Sequence, residues 1–316
     1  MSSADGYSIS ALGTACSLIG YGVPPSVEAR QIFVSLIQEM DVAASRFRED
    51  SELSRIFNGK ALSKVVVSEI LFDAIDAALF AAVVTNGYLD PTVAGSLVAM
   101  GYKADFSEIS GRSEGDLPDL QVVLPPGYRN IRLHRGELSV SVSEGVTLDL
   151  GSTGKAFLAD RIRHRIELEL AEHVLVNLGG DISASLTLEG ESWPVKITDD
   201  GGLDPFSSGV IIQISGGGVA TSSTLKRSWR TSSGIRAHHI IDPRTGISAN
   251  SPFESVTVVA GSALDANIAS CGTIAMGSLG PEWLESTGLP AIARARNADV
   301  RYFGAWEGAN RIGSLR

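Results

Sequence analysis

Four stretches of the chain join polar side chains to glycine turns at the ends of apolar runs, the setting in which ligand sites are commonly built. The first is Asp149-Leu150-Gly151-Ser152-Thr153-Gly154-Lys155. A strand ends there and a helix begins near Lys155, so free backbone N–H groups and an ammonium would meet an anion such as a phosphate. Its glycine spacing is not that of a P-loop, and a strand-to-helix turn with a capping hydroxyl also accounts for it. The second is Leu178-Gly179-Gly180-Asp181. Paired glycines after an apolar strand let a ligand come close to the backbone, or form a plain turn that Asp181 caps. The third runs from Val219-Ala220-Thr221-Ser222-Ser223 to His238-His239-Ile240-Ile241-Asp242-Pro243-Arg244-Thr245-Gly246. Adjacent histidines on a strand point to opposite faces, so His238 and His239 are not expected to share a metal. The fourth, Leu264-Asp265-Ala266-Asn267-Ile268-Ala269-Ser270, places Asp265 near a helix start, as a cap or as a hard oxygen ligand for a cation.

The elements that must hold these stretches follow from periodicity. Tyr7 to Tyr21 reads as a strand pair. Ser26 and Ser68 cap two helices; the second carries Ile70, Leu71, Ala74, Ile75, Ala78, Leu79 and Ala82 and ends at Asn86-Gly87. Leu138, Val140 and Val142 alternate as in a half-buried strand. Val146 to Leu150 is expected as a further strand, followed by a helix from about Lys155 to Ala171. Strands are expected at 173–178, 182–188, 194–198, 210–214 and 255–260. A small-residue helix from Leu264 to about Met276, a short helix at 282–286, and two closing strands at 291–296 and 300–306 complete the chain. The class is mixed α/β (α+β) with much antiparallel pairing, in one domain over residues 1–316.

Composition narrows the function. The net charge of −10 disfavours a general nucleic-acid binder. No run of roughly 20 apolar residues is present, so no membrane span is expected. Cys16 and Cys271 read as buried free thiols. The first residues lack the basic and apolar pattern of a signal peptide, which points to a cytoplasmic protein, or to an exported one had a leader been trimmed.

Taken in order, the segments resemble those of the FAD:protein FMN transferases, the ApbE flavin transferase family. The matching pieces are Gly13-Thr14, SRFREDSELSRI (Ser45 to Ile56), NGYLDPTV (Asn86 to Val93) and DLGSTGKAFLADR (Asp149 to Arg161). LVNLGGDI (Leu175 to Ile182), VATSS (Val219 to Ser223), HHIIDPRTG (His238 to Gly246) and the Asp265 helix complete the set. The resemblance implies an ApbE-type fold with FAD in a cleft between two lobes. It implies that Leu12, Phe47, Leu89, Asp90, Pro91, Asp149, Lys155 and Ile240 line the FAD site. It further implies Mg²⁺ binding by Asp265, by a hydroxyl one turn on and by the carbonyl of Ser152, with His239 beside the scissile phosphate. The chain departs from the pattern at Leu12, where Met is usual, at Phe47 for Tyr, at Ala156 for Gly, and at Ala269, where the ligand hydroxyl is usual. Ser270 is one substitute for that hydroxyl. Counting back from Met276-Gly277 gives another register, with Asn267 and Cys271 at the ligand positions.

The activity so implied is Mg²⁺-dependent transfer of FMN from FAD to a Thr or Ser hydroxyl of an acceptor protein, with release of AMP and with His239 as the general base. Acceptors in the family carry short motifs that begin with Asp; this chain has no clear copy, so self-modification is not expected. Two alternatives use the same pocket: hydrolysis of FAD to FMN and AMP, and flavin binding without catalysis. A nicotinamide dehydrogenase is disfavoured, since no G-x-G-x-x-G follows a strand.

Overall fold

The structure is a computed structural model that describes residues 6–102, 121–198, 200, 204, 206–231 and 234–306. It begins with a hairpin, β1 (Tyr7–Ala11) and β2 (Thr14–Gly20), paired from Tyr7↔Leu18 to Ala11↔Thr14. The two residues between the strands, Leu12 and Gly13, have φ of 53° and 65°. Two consecutive positive φ values make the tight two-residue turn whose twist suits a hairpin, and Gly13 meets that demand without a side-chain clash. Helix α1 (Val27–Ala44) follows, with Ser26 Oγ accepting from Ala29 N, and then α2 (Glu52–Ile56) and β3 (Leu62–Val66). Helix α3 (Glu69–Val84) is capped in the same way by Ser68 and leads to α4 (Ala94–Ala99).

Strands β4 (Ile131–His134) and β5 (Ser139–Val142) join β3 in a small sheet of order β3-β5-β4. Residues 146–150, expected as a strand, pair with no strand. Val146, Leu148 and Leu150 are buried, but the backbone is held by turns and by Asp149 N donating to the Pro91 carbonyl at 2.8 Å. Alternating burial here therefore comes without ladder pairing. Helix α5 (Gly154–Leu170) starts next, followed by β6 (Val174–Leu178) and β7 (Asp181–Ala184), the latter shorter than expected.

Strands β8 (Trp193–Thr198) and β9 (Gly209–Ile214) form a separate hairpin sheet. Strand β10 (Gly217–Ser223) returns to the main sheet. The short pairs β11 (Ser228–Arg230) with β12 (Arg236–His238), and β13 (Ile241–Asp242) with β14 (Ile247–Ser248), carry the histidine segment. The chain closes with β15 (Phe253–Ala260), α6 (Ala263–Ala275), α7 (Gly280–Thr287), β16 (Ala291–Ala295) and β17 (Val300–Phe303).

The main sheet has the order β1-β2-β6-β7-β10-β15-β16-β17, and every neighbouring pair in it is antiparallel. It is covered on both faces. Val174, Val176 and Leu178 of β6 pack into the core made with α1, α3 and α5. Leu175 joins Ile182, Val219, Val259 and the β8–β9 residues Trp193, Val195 and Ile212 on the other face. Because successive side chains of a strand alternate faces, burial on both sides yields the consecutive apolar residues Val174–Val176 of β6 and Val258–Ala260 of β15. A second core forms where α6 lies on β10 and β15, with Ala220, Val256, Val258, Ala266 and Ile274 in contact. Its close approach needs Gly218, where a Cβ would stand 2.2 Å from Ser262 C and Ala263 N. Among the described residues no helix is long and apolar enough to cross a membrane.

Candidate active site

Two cavities meet at one wall. The first, about 350 Å³, is lined by Leu12 of the β1–β2 turn, the end of α1 with Arg46 and Phe47, and Tyr88, Leu89 and Asp90 after α3; the Asp149–Lys155 turn and Ile240 close it. The second, about 780 Å³, lies between Asn177, Gly179–Asp181, the β8 residues Val195–Thr198, Thr221–Ser223, Lys226 and Asn267. Gly151, Ser152, Lys155, Arg227, His239 and Cys271 line both. The shared wall carries two cations and no carboxylate.

Each wall residue is positioned by an identifiable local contact. Asp149 folds the turn before α5: its Oδ1 accepts from Gly151 N at 2.8 Å, and its Oδ2 pairs with Arg46 Nε. The Arg46 guanidinium is stacked on both Phe47 and Tyr102, 4.2 and 4.5 Å from the ring centroids, so Phe47 is held at the mouth of the first cavity. Asp90 lines that cavity but turns its carboxylate inward, accepting from Thr92 N at 2.8 Å, Thr92 Oγ1 at 2.6 Å and Tyr128 N at 2.8 Å. Pro91 lines neither cavity; its carbonyl anchors Asp149 from behind. Helix α5 begins at this wall, which puts Lys155 on its first turn.

The second glycine stretch supplies the acid. Asp181 is 3% exposed; its Oδ2 receives Lys155 Nζ at 2.7 Å and its Oδ1 receives Asn267 Nδ2 at 3.0 Å. Gly179 allows this turn, with φ of 71° and Thr14 so near that a Cβ would lie 2.5 Å from its Oγ1. Asp181, Arg227 and Asn177 were not among the expected site residues. The Gly-Gly-Asp ending of an apolar strand was the available signal for Asp181; Arg227 belongs to no motif.

The two histidines diverge, as the strand argument expected. His238 is buried: its Nε2 lies 3.0 Å from the Ala249 carbonyl and its Nδ1 accepts from Ile240 N. Burial pushes its imidazole down to about 4. His239 faces both cavities. Its Nδ1 is 3.4 Å from the Arg227 carbonyl, an oxygen that can only accept. The ring proton therefore sits on Nδ1, and Nε2 keeps a lone pair. Desolvation, reinforced by Arg227, His238 and Lys155, holds His239 well below the ordinary histidine range, so it is neutral at pH 7.

The expected metal residues do not gather as written. Asp265 is exposed and lines neither cavity. It precedes Asn267 by two positions, roughly 200° around the helix, and so occupies the opposite face of α6. Ser270 is fully buried, accepting from Ser222 Oγ at 2.9 Å and donating to the Asn267 carbonyl at 3.2 Å, and it too lines neither cavity. Asn267 and Cys271, one turn apart, are the α6 residues that face the site, in agreement with the second register. Burial and the Asp181 carboxylate push the Cys271 thiol up to about 12, so it stays protonated and is a poor ligand for a hard cation. Asn267 Oδ1 is different: it is buried with no hydrogen-bond partner, an acceptor that a cation would satisfy. Among the described residues no group of three or more His, Cys, Asp or Glu could hold a metal by itself. The residues present therefore fit a divalent cation as part of a larger oxygen set: Asn267 Oδ1 and Ser152 from the protein, the remainder from elsewhere.

Comparison with known proteins bears on what this wall serves. The ApbE family model matches residues 12–293. The chain belongs to the ApbE family. A relative from Treponema pallidum named FAD:protein FMN transferase is 28% identical over 289 residues, 84% of this chain and 77% of that protein. A Klebsiella pneumoniae protein of the same name is 30% identical over 246 residues, 76% of this chain and 72% of its own. Among solved structures, an ApbE protein from Thermotoga maritima superposes with a TM-score of 0.78, covering 97% of this chain and 99% of its own, at 23% identity. The flavin transferase ApbE from Vibrio cholerae gives 0.75, covering 96% and 98%, also at 23%. The expected mixed, largely antiparallel ApbE fold is thus the observed one.

Proposed function

We propose that this ApbE-family chain is an FAD:protein FMN transferase, which passes FMN from FAD to a Thr or Ser hydroxyl of an acceptor protein and releases AMP. FAD is its substrate and the acceptor protein its partner. The observation that carries the reading is the wall shared by the two cavities, where Lys155 and Arg227 stand beside a neutral His239 whose free nitrogen is Nε2. The dinucleotide spans the wall, in a single flavin transferase domain of two lobes, with one half in each cavity and its diphosphate against the two cations.

The step follows from charge and proton accounting. The acceptor hydroxyl oxygen forms a bond to the phosphorus of the FMN half, and the bond from that phosphorus to the bridging oxygen breaks. AMP departs with that electron pair. His239 Nε2 takes the hydroxyl proton as the new P–O bond forms, help worth about 10²–10⁴ in rate. The Arg227 carbonyl keeps the imidazole in the tautomer that can accept. Lys155 and Arg227 stabilise the negative charge that grows on the phosphate oxygens and on AMP. Asp181 keeps Lys155 fixed in that position. Mg²⁺, when bound, would be held by Asn267 and Ser152 and would add Lewis-acid polarisation of the phosphate oxygens.

The test is incubation with FAD, Mg²⁺ and a Thr-containing acceptor peptide. The expected result is an FMN adduct on the peptide by mass spectrometry, with equimolar AMP. AMP formed equally fast without acceptor would make the chain a pyrophosphatase instead, and FAD bound but never cleaved would make it a flavin-binding protein.

A further inference from the structure

Building on that reading, we propose that this protein has no cation site of its own, and that the divalent cation enters only with the dinucleotide, whose diphosphate supplies the anionic ligands α6 lacks. The side chains at the shared wall are the first reason. Lys155 and Arg227 are positive, His239 and Cys271 are neutral, and no carboxylate lines both cavities. An isolated dication placed there faces the Arg227 guanidinium and an ammonium already matched by Asp181, with no carboxylate in the shared lining to attract it. Of the acids beside this wall, Asp149 is held by Gly151 N and Arg46, and Asp181 is not available to offset this either. Each of its oxygens holds a hydrogen bond, from Lys155 and from Asn267, so its charge is already matched by an ammonium. Lys226 reports the same field from within the second cavity: desolvation and repulsion from Lys155 and Arg227 push its ammonium below the ordinary lysine range.

The donors that remain are weak alone. Asn267 Oδ1 is an unpaired buried acceptor and contributes a dipole, not a charge. The carboxylate two positions earlier, Asp265, faces outward. Small hard cations are commonly held by one or two carboxylates together with substrate phosphates. Here the carboxylate share is missing, so the phosphate share must be present before the cation stays. A diphosphate also offsets the Arg227 charge, turning a repulsive wall into an attractive one. Because the coupling is thermodynamic, it is reciprocal: the cation must tighten FAD by the factor by which FAD tightens the cation.

Mn²⁺ is a spectroscopic probe for this, since electron paramagnetic resonance counts the free ion without any turnover. Titrations of the full-length protein with Mn²⁺, alone and saturated with FAD, are compared with FAD in buffer. The expected result is at least about 100-fold tighter binding with FAD than without, at the upper end of ordinary coupling, and an equal gain in FAD affinity with Mn²⁺. Asn267→Asp is expected to give the protein alone measurable Mn²⁺ affinity, because a charged oxygen then stands at the wall. Equal affinity with and without FAD overturns the proposal, and so does ion that stays free in both titrations. Neither outcome bears on FMN transfer, which the peptide adduct tests separately.

Discussion

His239→Asn isolates the proton transfer from the rest of the site. The asparagine δ nitrogen can occupy the place of Nδ1 and still donate to the Arg227 carbonyl, and the backbone bond from residue 239 N to that oxygen, 3.2 Å in the parent, is unaffected. Only Nε2 is lost. Removing a general base costs about 10²–10⁴ in rate, or roughly 3–5 kcal/mol on the barrier. FAD affinity and thermal stability should stay close to the parent, because His239 anchors no core contact. The pH profile gives an independent reading. A base held well below the usual histidine range is already deprotonated at neutral pH. Transfer by the parent should therefore persist as pH falls through about 6.5, the unperturbed histidine value, and fail only below it. The variant should lack that acid limb. The assay is FMN adduct formed per second on a saturating acceptor peptide, with FAD binding followed by flavin fluorescence. A variant that transfers within about tenfold of the parent, or a parental limb centred at or above the ordinary histidine value, would refute the assignment of the base.

Three further outcomes follow from the geometry. His238 is buried and held down to about 4, so the unfolded chain takes up its proton first as pH drops; stability is intact above about 6.5 and should fall by about 2 kcal/mol by pH 5, a slope that His238→Gln should reduce in urea unfolding. Asp90→Asn replaces a carboxylate that accepts three bonds with an amide that must point a donor at a donor; it should cost about 1–3 kcal/mol and weaken FAD binding by loosening the loop that presents Leu89. Gly218→Ala drives a Cβ to 2.2 Å from the backbone at the start of α6; a loss of about 3 kcal/mol or more should appear as a lower melting temperature and lower soluble yield.

How far the sequence carried depended on what kind of signal each element gave. The helices capped by Ser26 and Ser68 were legible because a cap hydroxyl and a 3.6-residue apolar stripe are local features, and both hydroxyls bond as expected. The strand expected at 146–150 failed because buried alternation records which side chains leave water, not whether the backbone finds a ladder partner; here the backbone bonds to Pro91 instead. Helix α6 was located within a residue at each end, yet two registers stayed open for its functional face, one on Asp265 and Ser270 and one on Asn267 and Cys271. Ala263, Ala266, Asn267, Ile268, Ala269, Ser270 and Cys271 are all buried, so the helix has no polar face to set its phase. With such a helix, only the partners it packs against decide which residue meets the cavity.

The acids make the same point in a sharper form. Asp90, Asp149 and Asp181 all lie at the cavities, and composition alone would suggest an electronegative cleft in a chain of net charge −10. The hydrogen bonds remove that inference. Asp90 is spent on Thr92 and Tyr128, Asp149 on Gly151 and Arg46, and Asp181 on Lys155 and Asn267. With Asp149 matched by Arg46 and Asp181 by Lys155, the cation of the shared wall that none of these acids matches is Arg227. A protein that is acidic overall can in this way hold a diphosphate, because the field a ligand meets is set by the few groups beside it, while distant surface charges are screened within about 10 Å by salt. The acids at the site work as braces: they fix the turn, the stacked arginine and the ammonium, and on the proposed function the cations so held are what the phosphates of the dinucleotide would meet.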